Sequence, residues 1–153
     1  MIIRLGETRD VEQLIKMSWD YIKEHSESEM KCTFQKFRKE YHSFFEKALT
    51  SGQWFVWVVE EAGKLVAHIY IELIQKVLRP GSITHPFAYM TNIYTVPEYR
   101  NMGLGSKLLR SINEWINENE YEFVIVWPND ETIPYYQKSE HMQCKEPIEY
   151  YLS

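Results

Sequence analysis

The stretch VPEYRNMGLGSKLL, residues 96–109, constrains the fold more than any other part of the chain. Before it, FAYMTNIYTV is rich in β-branched and aromatic residues and reads as a strand that ends at Pro97. After it, Leu104, Leu108, Leu109, Ile112, Trp115 and Ile116 recur at helical spacing and predict a strongly amphipathic helix. FVIVW follows as a short apolar strand that Pro128 terminates. Such a helix must lay its apolar stripe on a sheet. Between strand and helix, Gly103 and Gly105 let the backbone turn tightly and approach a bulky group closely. The first-turn amides, around residues 103–107, have no earlier carbonyl partner inside the helix, and with the helix dipole they can hold phosphate oxygens. Arg100 and Lys107 either add positive charge there or face water. The pattern is not a complete GxGxxG and lacks the Lys-Ser/Thr of a nucleotide-binding loop, so a plain chain reversal stays open beside phosphate binding.

The remaining chain supplies the sheet. WFVWVVEEAGKLVAHIYIELI holds two β-rich runs around Glu-Glu-Ala-Gly, the signature of an antiparallel hairpin. MIIRLG reads as an opening strand, after which Val11, Leu14, Ile15, Trp19 and Ile22 recur at helical spacing. Past the polar HSESEMK, a second helix aligns Phe34, Phe37, Tyr41, Phe44, Phe45, Ala48 and Leu49. Thr8 and Thr33 are the candidate caps of these helices, neither with a clear capping box. SGQ marks a turn, and KVLRPGSITHP predicts an exposed connection. Residues 131–139 predict one short helix and residues 142–152 a last strand. With no repeat, low-complexity tract or long linker, one α/β (α+β) domain spans residues 1–153.

Composition narrows the partners. Apolar residues make up 44% of the chain, with five Trp, eleven Tyr and seven Phe, enough for an independent core. A formal charge of -5 argues against a nucleic-acid backbone as partner and is compatible with a cationic substrate. Cys32 and Cys144 form no CxxC pair, and the five His are scattered, so neither a disulfide framework nor a metal site is expected. The opening residues lack the apolar core of a secretory signal and no run reaches membrane-spanning length, which makes cytoplasmic residence the default.

RNMGLG matches the Arg/Gln-x-x-Gly-x-Gly/Ala signature of the Gcn5-related N-acetyltransferase (GNAT) superfamily, with Arg100, Gly103 and Gly105 at the signature positions. WPNDETIPYYQKSEHM is similar to the segment of that family in which an Asn precedes a Tyr by seven residues, a spacing kept by Asn129 and Tyr136. The order of elements resembles the family along nearly the whole chain. Two departures stand out: Glu140-His141 replaces a common Gly-Phe, and Thr132 stands where Ala is frequent.

The resemblance implies a mixed, mostly antiparallel central sheet flanked by helices, and acetyl-coenzyme A as cosubstrate. It assigns coenzyme contacts to Ile93, Tyr94 and Val96 on a splayed strand, and to Arg100, Asn101, Met102, Gly103, Leu104, Gly105, Ser106 and Lys107 around the turn. It adds Asn129, beside pantetheine, and Tyr136. It further implies direct transfer of the acetyl group to an amine, with Tyr136 as the acid that protonates the departing thiolate and a backbone amide near Ile93 or Tyr94 facing the thioester oxygen. Tyr135 is the internal rival, and the family spacing selects Tyr136. The base is open among His68, His85, Glu98 and a water relay, with His68 equally readable as a structural histidine inside the hairpin. The acidic HSESE run reads as a solvated loop or as a lure for a cationic amine. The acceptor is a small-molecule amine or an exposed protein amine, with no nucleic acid or membrane involved and a homodimer possible. An acyl-coenzyme-A-binding regulatory module, and a transferase using a different acyl donor, are the alternatives.

Overall fold

The computed structural model describes residues 1–25, 31–128 and 132–138. Asn129, Glu140, His141, most of the HSESE run and the expected last strand lie outside the described residues. In chain order the elements are β1 (Ile2–Leu5), a 3-10 turn (Thr8–Asp10), α1 (Val11–His25), α2 (Phe34–Ala48), β2 (Trp54–Glu61) and β3 (Lys64–Ile74). Then come β4 (Phe87–Thr95), a second 3-10 turn (Pro97–Tyr99), α3 (Leu104–Glu118), β5 (Val124–Val126) and α4 (Ile133–Lys138).

The five strands lie side by side in sequence order, antiparallel from β1 to β4 and parallel between β4 and β5. The mixed, mostly antiparallel sheet is therefore as expected, with α3 as the crossover that a parallel pair requires. At the β2–β3 hairpin, Ala62 and Gly63 both take positive φ, 50° and 80°, the two left-handed residues that match the strand twist.

Side chains alternate across the sheet and so build two cores. Ile69, Ile71, Leu73, Ala88 and Met90 meet Leu104, Leu108, Leu109, Ile112 and Ile116 of α3 on one face. Val56, Val58, Tyr70 and Tyr94 meet Leu14, Ile15, Phe37 and Phe45 of α1 and α2 on the other. β3 is covered on both faces, which is why its residues 65–71 are buried without interruption instead of alternating with polar ones. Each large apolar side chain so enclosed contributes roughly 2 kcal/mol relative to exposure.

The helix starts differ from one another. Thr33 caps α2, its hydroxyl accepting the Lys36 amide at 3.2 Å. Thr8 does not cap the first helix. Asp10 instead accepts the Glu7 amide at 2.7 Å, and its two carboxylate oxygens grip the Arg4 guanidinium at 2.7 and 2.9 Å. Arg4 also reaches Glu60 at 3.1 Å, so one guanidinium ties β1, β2 and the entry to α1. The Arg4 hydrogen bond is the main reason the Asp10 carboxyl titrates below its ordinary range, against the opposing effect of burial. Deleting one member of a buried pair leaves the other charge poorly compensated. Asp10→Ala is therefore expected to cost on the order of 3 kcal/mol in urea unfolding at neutral pH, moderated by the Glu60 contact; a change below the roughly 0.5 kcal/mol typical of surface sites contradicts this account.

Candidate functional site

β4 pairs with β5 only from Ala88 to Met90, opposite Val124 to Val126. Beyond Met90 the two strands part, and β4 runs on to Thr95. On its other edge the register slips: Thr91 lies opposite Tyr70 and Tyr94 opposite His68, so β4 spends one residue more than β3 over the same length. Asn92, at φ 52°, sits inside this bulge. Bulges bend a strand and re-aim its side chains. Sequence reading missed this one, although an Asn inside a strand was its signal, since Asn is rare in ladders and among the residues most tolerant of left-handed φ.

The bend carries β4 toward α3. Gly103 precedes the helix in the left-handed region, φ 78°, with open space where a side chain would stand. Its carbonyl accepts the Lys107 amide at 3.2 Å. The amides of the first turn before Lys107 come too early for an in-helix carbonyl, as expected. Gly105 is glycine for another reason. A β-carbon there would lie 2.6 Å from Tyr135 Oη and 3.3 Å from Tyr135 Cζ, so the ring of Tyr135 in α4 sits directly on this backbone. Tyr135 Oη is buried and has no hydrogen-bond partner among the described residues.

The other expected residues have distinct surroundings. Arg100 is not a free cation facing water. It holds Glu24 of α1 through two contacts of 2.8 Å, donates to the Thr95 carbonyl at 2.9 Å, and lies 5.5 Å over the Tyr94 ring. Asn101 adopts positive φ, 62°, in the turn. Asn101, Met102, Ser106 and Lys107 are exposed, whereas the Leu104 side chain is buried and leaves only its backbone for a ligand. Val96 already donates its amide to the Val66 carbonyl at 2.9 Å. Ile93 is half-buried beyond the last β4–β5 pair, next to buried Tyr94.

Tyr136 is buried and packs into the core that α3 shares with the sheet. Burial, with a smaller contribution from Tyr21, pushes its phenol up to about 12. Tyr21 belongs to α1 and packs against the core on the other face of the sheet. Burial raises Tyr135 as well.

Among the candidate bases, His68 is fully buried, flanked by Tyr70 and Tyr94 at ring distances of 4.7 and 5.7 Å. Neither ring nitrogen has a hydrogen-bond partner among the described residues, so the pairing of a satisfied structural histidine is not found there. Loss of solvent lowers it to about 4, despite the opposing backbone of Asn92. His85 is half-buried in the connection before β4, and Glu98 is exposed. Glu98 joins Glu24 and Asp20 in raising Tyr94, after the larger effect of burial. Two of these carboxylates are ion-paired, Glu24 with Arg100 and Asp20 with Lys16, each at 2.8 Å. Among the described residues no group of three or more His, Cys, Asp or Glu could hold a metal ion, and no helix is long and apolar enough to cross a membrane.

A cavity of about 300 Å³ opens on the α2 side of the sheet. Glu40, Tyr41 and Phe44 of α2 line it with Trp54, Tyr70, Thr91 and Asn92. Its strand wall includes the bulge.

The sequence matches the acetyltransferase (GNAT) family model over residues 13–140. Among solved structures, a predicted acetyltransferase of Clostridium acetobutylicum, solved with acetyl-CoA, superposes with a TM-score of 0.78 at 21% identity, covering 98% of this chain and 95% of that one. Glucosamine-6-phosphate N-acetyltransferase of Arabidopsis thaliana gives 0.73 at 18% identity over 99% and 98% of the two chains. An aminoglycoside acetyltransferase from an uncultured soil sample gives 0.74 at 16% identity over 99% and 95%. No curated protein matches by sequence.

Gly105→Ala should drive Tyr135 off the turn and destabilise by about 2 kcal/mol, as overpacking does. Tyr135→Phe removes an unpaired hydroxyl and should itself be neutral or stabilising; in that background Gly105→Ala should cost measurably less. Full additivity in thermal unfolding would separate the two residues. His68 gives a pH signature. Its folded pKa is depressed, so below about 6.5 the unfolded chain takes up a proton that the folded chain refuses. Stability then falls as pH drops from about 6.5 toward about 4, by up to roughly 3 kcal/mol at about 1.36 kcal/mol per unit. Urea unfolding of His68→Phe should show a flatter profile across that window, and identical profiles reject the assignment.

Proposed function

The chain belongs to the acetyltransferase (GNAT) family, and on that premise we propose that it moves an acetyl group from acetyl-coenzyme A directly to an amine. The observation that carries this reading is the seating of α4 on the glycine turn: Tyr135 rests on Gly105, and Tyr136 beside it in sequence shares a buried core with Leu104 and Leu108 of α3.

The residues fit the cosubstrate. Left-handed Gly103, with open space at its missing β-carbon, lets a bulky anion approach, and the amides of Leu104, Gly105 and Ser106 donate to its pyrophosphate oxygens at the favourable end of the helix dipole. Arg100 contributes by position. Paired with Glu24 and Thr95, it pins the turn against α1, and Lys107 is left as the exposed cation of the first turn. The stretch of β4 from Thr91 to Thr95, free of β5, offers its edge to the pantetheine arm, and an amide near Ile93 or Tyr94 faces the thioester oxygen. Asn129 is part of the proposed contact set through the family spacing.

Acetyl-coenzyme A supplies an activated acyl group and a thiol leaving group. The amine attacks in its neutral form. A bond forms from nitrogen to the acyl carbon, the carbon–sulfur bond breaks, and the proton balance moves one hydrogen from nitrogen to sulfur. Tyr136 is protonated throughout the physiological range and so can serve as donor to the sulfur. A phenol near 12 is nevertheless a weaker acid than a thiol of about 8.5, a gap of roughly 5 kcal/mol. Its proton therefore passes to sulfur in concert with its replacement from the amine side, not as a separate event. With His68 sealed in the core, the amine proton leaves through water.

Calorimetric titration with acetyl-coenzyme A, against coenzyme A and ATP, tests the cosubstrate, and thiol release on adding an amine tests transfer. Binding without release would support a regulatory module; preference for a longer acyl chain would change the donor. Tyr136→Phe should lower kcat about 100-fold, within the range of a lost general acid, while leaving the Kd for acetyl-coenzyme A within about twofold. Unchanged turnover across a pH series would remove Tyr136 from the role.

A further inference from the structure

The cavity beneath α2 has a composition that selects its occupant. Its lining brings together four aromatic rings, from Tyr41, Phe44, Trp54 and Tyr70. Phe44 and Trp54 meet edge to face at 5.4 Å, and the Tyr70 hydroxyl is already engaged by Ser18 Oγ, so Tyr70 offers its ring instead of its oxygen. Among the described residues Glu40 is the only charged one in the lining, and it is exposed. Thr91 Oγ1 donates to Asn92 Oδ1 at 3.0 Å, which leaves lone pairs on Thr91 Oγ1 to accept an N–H.

These walls discriminate by chemistry. A sugar would bring several hydroxyls into a space with few partners, and each one left unmade costs about 1–3 kcal/mol. A phosphate or carboxylate would meet Glu40 and no Lys or Arg in the lining. An ammonium, in contrast, is attracted by the carboxylate and by the ring faces. Size points the same way: about 300 Å³ is roughly twice the about 150 Å³ that accommodates a benzene ring, so a ring plus a short side chain fits. The cavity also leads to the proposed reaction centre. Thr91 and Asn92 form its wall just past the last β4–β5 pair, Met90 with Val126, on the strand whose next residues are Ile93 and Tyr94.

We propose that this cavity is the acceptor subsite and that the acceptor is a primary amine carried on an apolar, aromatic-sized body, an arylalkylamine, with its ring between Phe44 and Tyr70 and its nitrogen at Thr91. The assignment rests on the acetyl-transfer reading above. It separates this chain in substrate class from the aminosugar and aminoglycoside enzymes whose fold it shares.

The test measures kcat/KM by thiol release for 2-phenylethylamine, hexylamine, glucosamine and glucosamine 6-phosphate, alongside calorimetric titration of 2-phenylethylamine into the protein and of acetyl-coenzyme A as control. The arylalkylamine should exceed either sugar by at least about 100-fold, the factor that about 2.7 kcal/mol of unmet polar groups implies. Glu40→Lys, at an exposed position, should raise the KM for 2-phenylethylamine about 10-fold, and Phe44→Ala should weaken its direct binding by a similar factor, with the Kd for acetyl-coenzyme A unchanged in both. A preference for glucosamine or its phosphate, or unchanged KM and binding in both variants, overturns the acceptor assignment while acetyl transfer stands. Failure of acetyl-coenzyme A to bind, or of any amine to release thiol, overturns the transfer reading and the acceptor assignment with it.

Discussion

The parting of β4 from β5 after Met90 is the constraint from which the rest of the site follows. Three residues of parallel pairing hold β5 in the sheet, and the backbone edge of β4 beyond them has no β5 partner. Backbone amides and carbonyls are strong hydrogen-bonding groups wherever they lie. A strand that leaves its neighbour while still inside the domain therefore presents a ladder edge to a ligand. The bulge at Asn92 bends that edge in the last residues of β4, ahead of the turn that starts α3.

The gap also joins the two faces of the sheet. Tyr136 belongs to the core beneath α3, yet Tyr21 from α1 opposes its ionisation. In an unbroken sheet those two layers are separated by a full strand thickness. The phenols of Tyr21 in α1, Tyr41 in α2 and Tyr136 in α4 all titrate high, and burial is the first reason for each. Neutral phenols suit such a place: they donate hydrogen bonds without placing a charge in the core. His68 follows the same rule in the opposite direction, kept uncharged because the interior gives its cation no solvent. Charge is kept to the margin, where Arg100 clasps Glu24 and ties the glycine turn to α1.

Much of this was legible in the residue pattern. The order of helices and strands, the hairpin at Ala62-Gly63 and the amphipathic face of α3 match what periodicity and turn chemistry require. Some readings needed correction in kind. The first cap falls to Glu7 and not to Thr8, in a capping box whose other half is the Asp10 carboxylate, fixed by Arg4 and accepting the Glu7 amide. The paired glycines looked equivalent and are not: Gly103 answers a dihedral angle, Gly105 the ring of Tyr135. For Arg100, read as adding charge at the turn or facing water, the structure adds a contact to Glu24 across 76 positions of sequence.

By itself, then, the sequence determined whatever depends on neighbours in the chain: where helices begin, which face of each is apolar, where the backbone must turn left-handed, and that a helix N-terminus follows a strand. Only the tertiary structure decided which distant groups share a space. The cavity draws its walls from α2, β2, β3 and β4, and the seat of Tyr136 depends on where α4 meets α3. Contacts of that kind leave no periodic trace, since side chains far apart in sequence are brought together by packing, with a free energy that belongs to the whole core and not to any local run of residues.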